Sequence, residues 1–287
     1  MTTAAQFPTA TVHRSQFDGQ VLTPGTRGYD SARSVWNAMI DHRPKLIAGC
    51  ASVGDVVTAV RAARERDLEI GVRCGGHNIA GLAVPDGGLM IDLTTMGRVT
   101  VDPVMRRARV QGGAMLGALD RASQPFGLAT TAGNVSHTGV GGLTLGGGMG
   151  WLARQHGLAC DNVVSCTVVT ADGDVVRASA DEHPDLFWGL RGGGGNFGIV
   201  VEFEFRLHPV GTRTLVAELT FPLDRAAAAK LDPFAVGAYV NALSDEGASG
   251  VRRAYSDAKR VRLTAVKDAY DPDNVFHLNH NIAPTRQ

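Results

Sequence analysis

Residues 71–82 read GVRCGGHNIAGL. They continue an apolar run, EIGVRC, that predicts a short buried strand. Gly75 and Gly76 then place His77 in a loop almost bare of side chains, with Gly81 close behind. Such a loop is either a plain turn with a surface histidine or a place where something large and flat lies against backbone. The choice depends on what surrounds it.

Upstream, Ser52 opens VGDVVTAVRAARERD, with Asp55 placed to complete a capping box. Val56, Val57, Val60 and Ala63 share one face, which predicts an amphipathic helix. Downstream, GGLMIDLTTM and RRARVQGG predict strands, and MLGALDRASQPFG a short helix stopped by Pro125 and Gly127. VVSCTVVTADGDVVRAS predicts a hairpin turning at residues 171–174, and ADEHPDLFWGL a helix with Pro184 in its first turn. TLVAELTFPL and GAYVNALS have the alternation of strands, and a helix ending YSDAKRVRLTAVKDAY stops before Pro272.

Lys plus Arg and Asp plus Glu both total 28 in 287 residues, so no net field recruits nucleic acid or an anionic membrane. No apolar stretch is long enough to span a bilayer. The first nineteen residues lack an apolar run behind a basic start, so a cytoplasmic location is expected. Cys50, Cys74, Cys160 and Cys166 have no CxxC spacing and are expected to be free thiols. No HExxH, paired-cysteine or G-x-S-x-G pattern supports a metal centre or a hydrolase.

Glycine is the unusual count, at 36, and it is clustered. Gly193 to Gly198 match G-x-G-x-x-G literally, but a helix precedes and the strand IVVEFEF follows. That reverses the order a dinucleotide phosphate turn needs, so the glycines are expected to serve turning and packing. His137, next to Ser136 in another glycine-rich loop, is expected to be a loop residue satisfied by backbone. Gly75, Gly76 and Gly146, Gly147, Gly148 are different: consecutive amides without side chains form concave donor sites for phosphate oxygens.

Three long motifs in order, RCGGHN, GVGGLTLGGGMGWLARQHGLACDNVVS and DLFWGLRGGGGNFGIVVEFEFRLHPV, resemble the FAD-binding domain of the berberine-bridge-enzyme-like oxidoreductases, the PCMH-type family. YDPDNVFHLNHNI resembles its C-terminal signature, and the likeness covers about residues 30–222 and 235–284. It implies an α+β fold of two subdomains: a FAD domain over 30–210, a remnant of the substrate domain over 211–250, and a C-terminal segment over 251–287 packing on the FAD domain. It implies a FAD-linked oxidoreductase that moves hydride from a small alcohol, sugar, amine or activated C–H compound to the flavin, with O2 as acceptor.

The resemblance implies a cofactor site built from Arg73, Cys74, Gly75, Gly76, His77 and Asn78. Gly133, Ser136, Gly139, Gly141, Gly142, Gly146, Gly147 and Gly148 belong to it as well, as do Asn162, Gly198, Ile199, Val200 and Asn279. His77 holds the position of the histidine that bonds to the flavin 8α-methyl. Val135 stands where some members place a second linking cysteine, so one covalent link is expected, and Cys160 is expected to be a buried small residue. Leu143 replaces a histidine found in plant members.

The interval from Leu215 to Arg260 is too short for the family's substrate domain. The Y-x-N-Y motif that supplies a base reads Tyr239-Val240-Asn241-Ala242, so no catalytic base is assigned. Asp245 and Glu246 are expected on a solvated face. Leu219, Phe221, Tyr239, Val240 and Leu243 are expected to be poorly covered, which favours either self-association or poor solubility. The competing expectation is a flavin-binding remnant or interaction protein without turnover. A flavin reductase fed by NAD(P)H is weaker, because no second nucleotide motif exists.

Overall fold

The computed structural model describes residues 17–211, 238–244 and 246–286. Two sheets organise these residues. The first has the order β1-β2-β4-β3: β1 (Gln20–Leu22), β2 (Leu46–Gly49), β3 (Ile70–Arg73) and β4 (Leu89–Asp92). Strands β2, β3 and β4 run parallel, and β1 pairs antiparallel at the edge. Parallel strands are covered on both faces, which is why LIAG and LMID are almost uninterruptedly apolar.

Helix α2 (Val53–Glu65) crosses between β2 and β3. The Ser52 hydroxyl accepts from Asp55 N at 3.2 Å and the Asp55 carboxylate accepts from Ser52 N, the expected box. That carboxylate is fully buried because it also accepts from Asp18 N and Ala51 N, both at 2.8 Å. Val56, Ala59, Val60 and Ala63 fill the core beneath the sheet, and Val57 packs at its margin.

The second sheet is antiparallel, in the order β5-β6-β10-β8-β9: β5 (Val99–Asp102), β6 (Arg107–Gln111), β8 (Val163–Val169), β9 (Val175–Ser179) and β10 (Ile199–Arg206). Between β6 and β8 lie α3 (Leu116–Ser123), β7 (Leu128–Ala129), α4 (Val140–Leu145) and α5 (Ala153–His156). Strand β7 pairs with β11 (His208–Pro209). The predicted hairpin is β8 with β9, in register from Ser165–Ser179 to Val169–Val175. A short helix, α1 (Tyr29–Arg33), lies beside β2. The α+β class expected from the sequence is what the chain adopts.

Three elements tie the end of the chain to the sheets: α6 (Pro184–Leu190), α7 (Gly247–Ala254) and α8 (Asp257–Tyr270). Helix α8 stops before Pro272, as predicted, and buries Lys267 and Asp271 completely. Lys267 Nζ donates to Asp271 Oδ2 at 2.6 Å, Asn196 O at 2.9 Å and Phe276 O at 3.0 Å. Asp271 in turn accepts from Val275 N at 2.7 Å and Phe276 N at 2.9 Å. Burial pulls the lysine pKa down, and Asp271 opposes that. A buried charge survives only when paired and hydrogen-bonded, and this pair has a full set of partners. The pair clamps the loop before β10 to the C-terminal segment.

One strand expected from alternation is not a strand. Val240–Ala242, inside GAYVNALS, form a 3-10 turn, and Val240 and Leu243 are buried. The apolar surface expected there is therefore covered at both residues. Tyr239 is half-buried with its hydroxyl engaged. Glu246 is half-buried, with its side chain 26% exposed, and pairs with the exposed Arg253 at 2.8 Å. TLVAELTFPL, with Leu219 and Phe221, and Asp245 lie outside the described residues.

Candidate functional site

Strand β3 ends at Arg73, whose guanidinium is held by Asp92 Oδ2 at 3.1 Å, Ala32 O at 2.8 Å and Ser34 O at 3.1 Å. The chain then enters the bare loop. Gly75 is glycine because two backbones touch: a Cβ there would lie 2.3 Å from Gly139 N. Gly76 is glycine for another reason, its φ of +65°, and its carbonyl accepts from Trp36 N at 3.1 Å. The Gly75–Gly139 contact joins the first sheet to the entrance of α4, and His77 and His137 flank it.

A cavity of about 330 Å³ opens between the end of β3 and the start of β10. The structure brings Cys74, Gly75, Gly76, His77 and Asn78 to one wall of it. Gly139, Gly141, Gly142 and Gly146 line a second, and Gly198, Ile199, Val200 and Asn279 a third. Among the described residues no Lys, Arg, Asp or Glu lines this cavity. Among the contributors that sequence reasoning missed are Gly193 to Asn196, which it assigned to packing, Tyr255 just after α7, and Asn241. The Tyr255 hydroxyl donates to Gly192 O at 2.8 Å, and burial pushes its pKa up to about 12.

Two features mark this as space for a ligand rather than loose packing. A methyl group added at Gly142 or Gly195 would meet nothing within 4 Å, so backbone faces open volume at both. Asn279 donates from Nδ2 to Phe276 O at 3.0 Å and Gly195 O at 3.3 Å, and its buried Oδ1 has no partner. Amide-lined walls, one orphaned acceptor and no cation suit a dinucleotide whose phosphates are held by backbone N–H groups. FAD fits these residues.

His77 lines the cavity, and its Nε2 lies 2.7 Å from His137 Nδ1. The ring of Trp36 stacks on His77 at 5.5 Å with an 18° tilt. Burial, then the neighbouring His137, pulls the His77 pKa below its ordinary value, with a backbone contact from His137 working the other way. A neutral imidazole with a nucleophilic nitrogen is the result. The expectation that backbone satisfies His137 is thus corrected: its partner is the side chain of His77. No local pattern could reveal this, because the two lie 60 positions apart.

Six of the expected residues do not line the cavity. Arg73 acts from behind, through Asp92. Gly133 packs against Leu143 and Leu116, and Ser136 is exposed. Gly147 and Gly148, at φ of +109° and +86°, shape the turn after α4. The Tyr239 hydroxyl accepts from Gly148 N at 3.0 Å, Met149 N at 3.1 Å and Asn241 Nδ2 at 2.8 Å. Those bonds hold Val240–Ala242 in the turn and bring Asn241 to the cavity. Asn162 is buried elsewhere, with Nδ2 on His156 O and Leu158 O and Oδ1 against His208 Nε2 at 2.6 Å.

Val135, at the place of a second linkage, is exposed. All four cysteines are free; burial pushes the thiols of Cys160 and Cys74 up to about 11. Among the described residues no group of side chains could hold a metal ion, and no helix is long and apolar enough to cross a membrane.

Residues 44–179 match the family model of the FAD binding domain, and residues 238–283 match the model described as berberine and berberine like. The (R)-6-hydroxynicotine oxidase of Paenarthrobacter nicotinovorans is 43% identical over 203 residues, 71% of this chain and 44% of that protein. The glucooligosaccharide oxidase of Sarocladium strictum is 41% identical, over 63% of this chain and 36% of that protein. The chain thus spans less than half the length of these curated relatives. Among solved structures, 6-hydroxy-D-nicotine oxidase from Arthrobacter nicotinovorans superposes with a TM-score of 0.82 at 25% identity, covering 93% of this chain and 98% of that one. The glucooligosaccharide oxidase of Acremonium strictum, with its 6-S-cysteinyl, 8α-N1-histidyl FAD, superposes at 0.63 and 38% identity over 66% of this chain and 40% of that one. The fold, the amide-lined cavity and both family matches agree: the chain belongs to the berberine-bridge-enzyme-like, PCMH-type FAD-linked oxidoreductases.

Proposed function

We propose that the chain binds FAD in this cavity through a single covalent bond from His77 and takes hydride from a small alcohol, sugar, amine or activated C–H compound, with O2 as the terminal acceptor. One observation carries the reading: a cavity walled by glycine amides, with no Lys or Arg among its described lining residues and with a histidine whose pKa burial holds down. When bound, the flavin supplies the hydride acceptor and the route for electrons to dioxygen. The chain's own residues bind and orient. Amides near Gly75, Gly142 and Gly195 take the phosphate oxygens, and Asn279 Oδ1 accepts an N–H. Leu143, Val240 and Tyr255 contribute apolar surface that excludes water.

A second reading, flavin binding without turnover, is favoured by Ala242 at the base position and by the short interval between the two matched segments. Purified protein precipitated in acid is expected to keep its flavin in the pellet, and His77→Ala to release it. Flavin wholly in the supernatant from wild type sinks the covalent bond. Anaerobic bleaching of the yellow protein by a panel of sugars, alcohols and amines then chooses between turnover and mere binding.

A further inference from the structure

His77 is enclosed as a reactive group rather than left as a loop side chain. Trp36 covers one face of the ring, and His137 meets its edge, with ring centres 4.7 Å apart and a 34° tilt. The Nε2–Nδ1 separation of 2.7 Å lets one proton sit between two neutral rings. A second N–H in the same gap would set two donors against each other, so one ring donates and the other accepts. The two loops are fixed to each other at Gly75 and Gly139, two residues from each ring, where the backbones leave no room for even a methyl group. His137 itself is exposed and can pass a proton to solvent. A nucleophile within 2.6–3.2 Å of a base is the general pattern of an activated side chain.

We propose that His137 is a positioning residue for attachment of the flavin: it accepts the Nε2 hydrogen of His77, leaving the Nδ1 lone pair of His77 as the nucleophile. The proposal rests on the covalent bond through His77 proposed above. In the net reaction His77 Nδ1 bonds to the flavin 8α carbon. One C–H bond of the methyl group and the imidazole N–H are lost as two protons, the latter through His137. Two electrons remain on the flavin, and dioxygen takes them with two protons as hydrogen peroxide.

The experiment mixes flavin-free full-length chain with FAD and follows two quantities: total bound flavin after gel filtration, and flavin that survives acid denaturation. His137→Ala is expected to bind FAD within about threefold of wild type, because it removes an exposed side chain outside the cavity. Its acid-resistant flavin is expected to form ~10²-fold or more slowly, the usual worth of a placed base, with partial rescue by imidazole in the buffer. His137→Gln, which can accept a hydrogen bond but not carry the proton away, is expected to stay slow, and it decides the matter if the alanine variant fails to fold. Acid-resistant flavin forming at the wild-type rate in either variant overturns the proposal. So does failure of imidazole to speed the folded alanine variant. Wild type that binds FAD but releases all of it in acid overturns the covalent reading first and this proposal with it. A slow His137→Ala beside a fully covalent wild type separates the two.

Discussion

The loop after β3 and the loop before β10 are both glycine-rich and both line the cavity, yet their missing side chains make room for different things. At Gly75 the space is taken by the backbone of Gly139. At Gly193 it is taken by Gly189 O at 2.5 Å, Leu263 Cδ2 at 2.8 Å and Phe197 Cε2 at 2.9 Å. At Gly195, two residues further on, nothing lies within 4 Å. The loop before β10 therefore combines a glycine that lets protein meet protein with one that faces open volume, whereas Gly75 and Gly76 both face protein. Counting them cannot separate the two kinds; the neighbours of a hypothetical Cβ can. The loops also differ in anchorage. Arg73, at the rim of the first, pairs with Asp92 in a partly accessible ion pair. Lys267 anchors the second from complete burial.

That difference in anchorage sets the largest expected effect. Lys267→Met removes the donor to Asn196 O and Phe276 O and leaves the Asp271 carboxylate buried without its countercharge. Breaking one half of a buried pair costs about 3–5 kcal/mol, read as a shift in the urea midpoint at constant slope. Arg73→Met, nearer solvent, should cost clearly less. Equal losses would break the contrast between the anchors.

Next in size is the glycine at the loop contact. Gly75→Val drives its side chain into Gly139 backbone, and overpacking of this kind costs about 1–3 kcal/mol. Folding and flavin content should fall together, since the same contact holds the two loops in register. Gly76→Val meets only Val35 Cγ1 at 3.2 Å but must hold φ at +65°, a strain of about 1–2 kcal/mol. A stable, flavin-free Gly75→Val protein would show that the contact serves the ligand and not the fold.

What the sequence disclosed follows the range of the interactions involved. The Ser52–Asp55 box, the hairpin and the stop before Pro272 are set within a few residues, and each is where the pattern puts it. The glycine motifs are local as well, so the glycine part of the cavity wall was legible, apart from Gly112 and Gly193 to Gly195. Lys267 was not singled out, because a lysine one step beyond Leu263 and Val266 on a helix face resembles a solvated edge until Asn196 and Phe276 close over it. GAYVNALS had the alternation of a strand, but two amides of a distant turn bind the Tyr239 hydroxyl and coil it instead. Asn162 came from the motif alone, and its amide is consumed by His208, His156 and Leu158. His137 needed the fold to reach its partner.

The two glycines that face open volume give measurements of opposite sign. Gly142 sits inside α4, where alanine is the better residue by about 0.5–1 kcal/mol. Gly142→Ala should therefore raise the melting temperature of the flavin-free protein slightly. Its methyl group points into open volume, so FAD affinity should fall, by about tenfold if an amide contact is displaced (about 1.4 kcal/mol). Gly195→Ala should do the same from the other loop. A stabilised chain that binds FAD as well as wild type does would mean that this volume is not where the cofactor lies.

The smallest effect separates the loops by pH. The first contains an imidazole whose pKa burial and His137 hold down; Gly193 to Gly198 contain no ionisable side chain. A histidine that prefers to be neutral when folded takes up its proton more readily in the unfolded chain. Its penalty is absent above the unfolded value of about 6.5 and grows as pH falls through the lower folded value. Because the ring is partly open to water, the loss should be small, on the order of a few tenths of a kcal/mol. His77→Gln is expected to flatten the decline in stability of the flavin-free protein between about pH 6.5 and 5, relative to wild type. His208 adds a background of the same sign, since burial, then His156 stacked at 3.8 Å, then Arg206 lower its pKa too. Only the difference between the two proteins therefore reports on the loop. An unchanged slope in His77→Gln would mean that His77 titrates as freely as in the unfolded chain, and that the first loop encloses its imidazole no more than the second would.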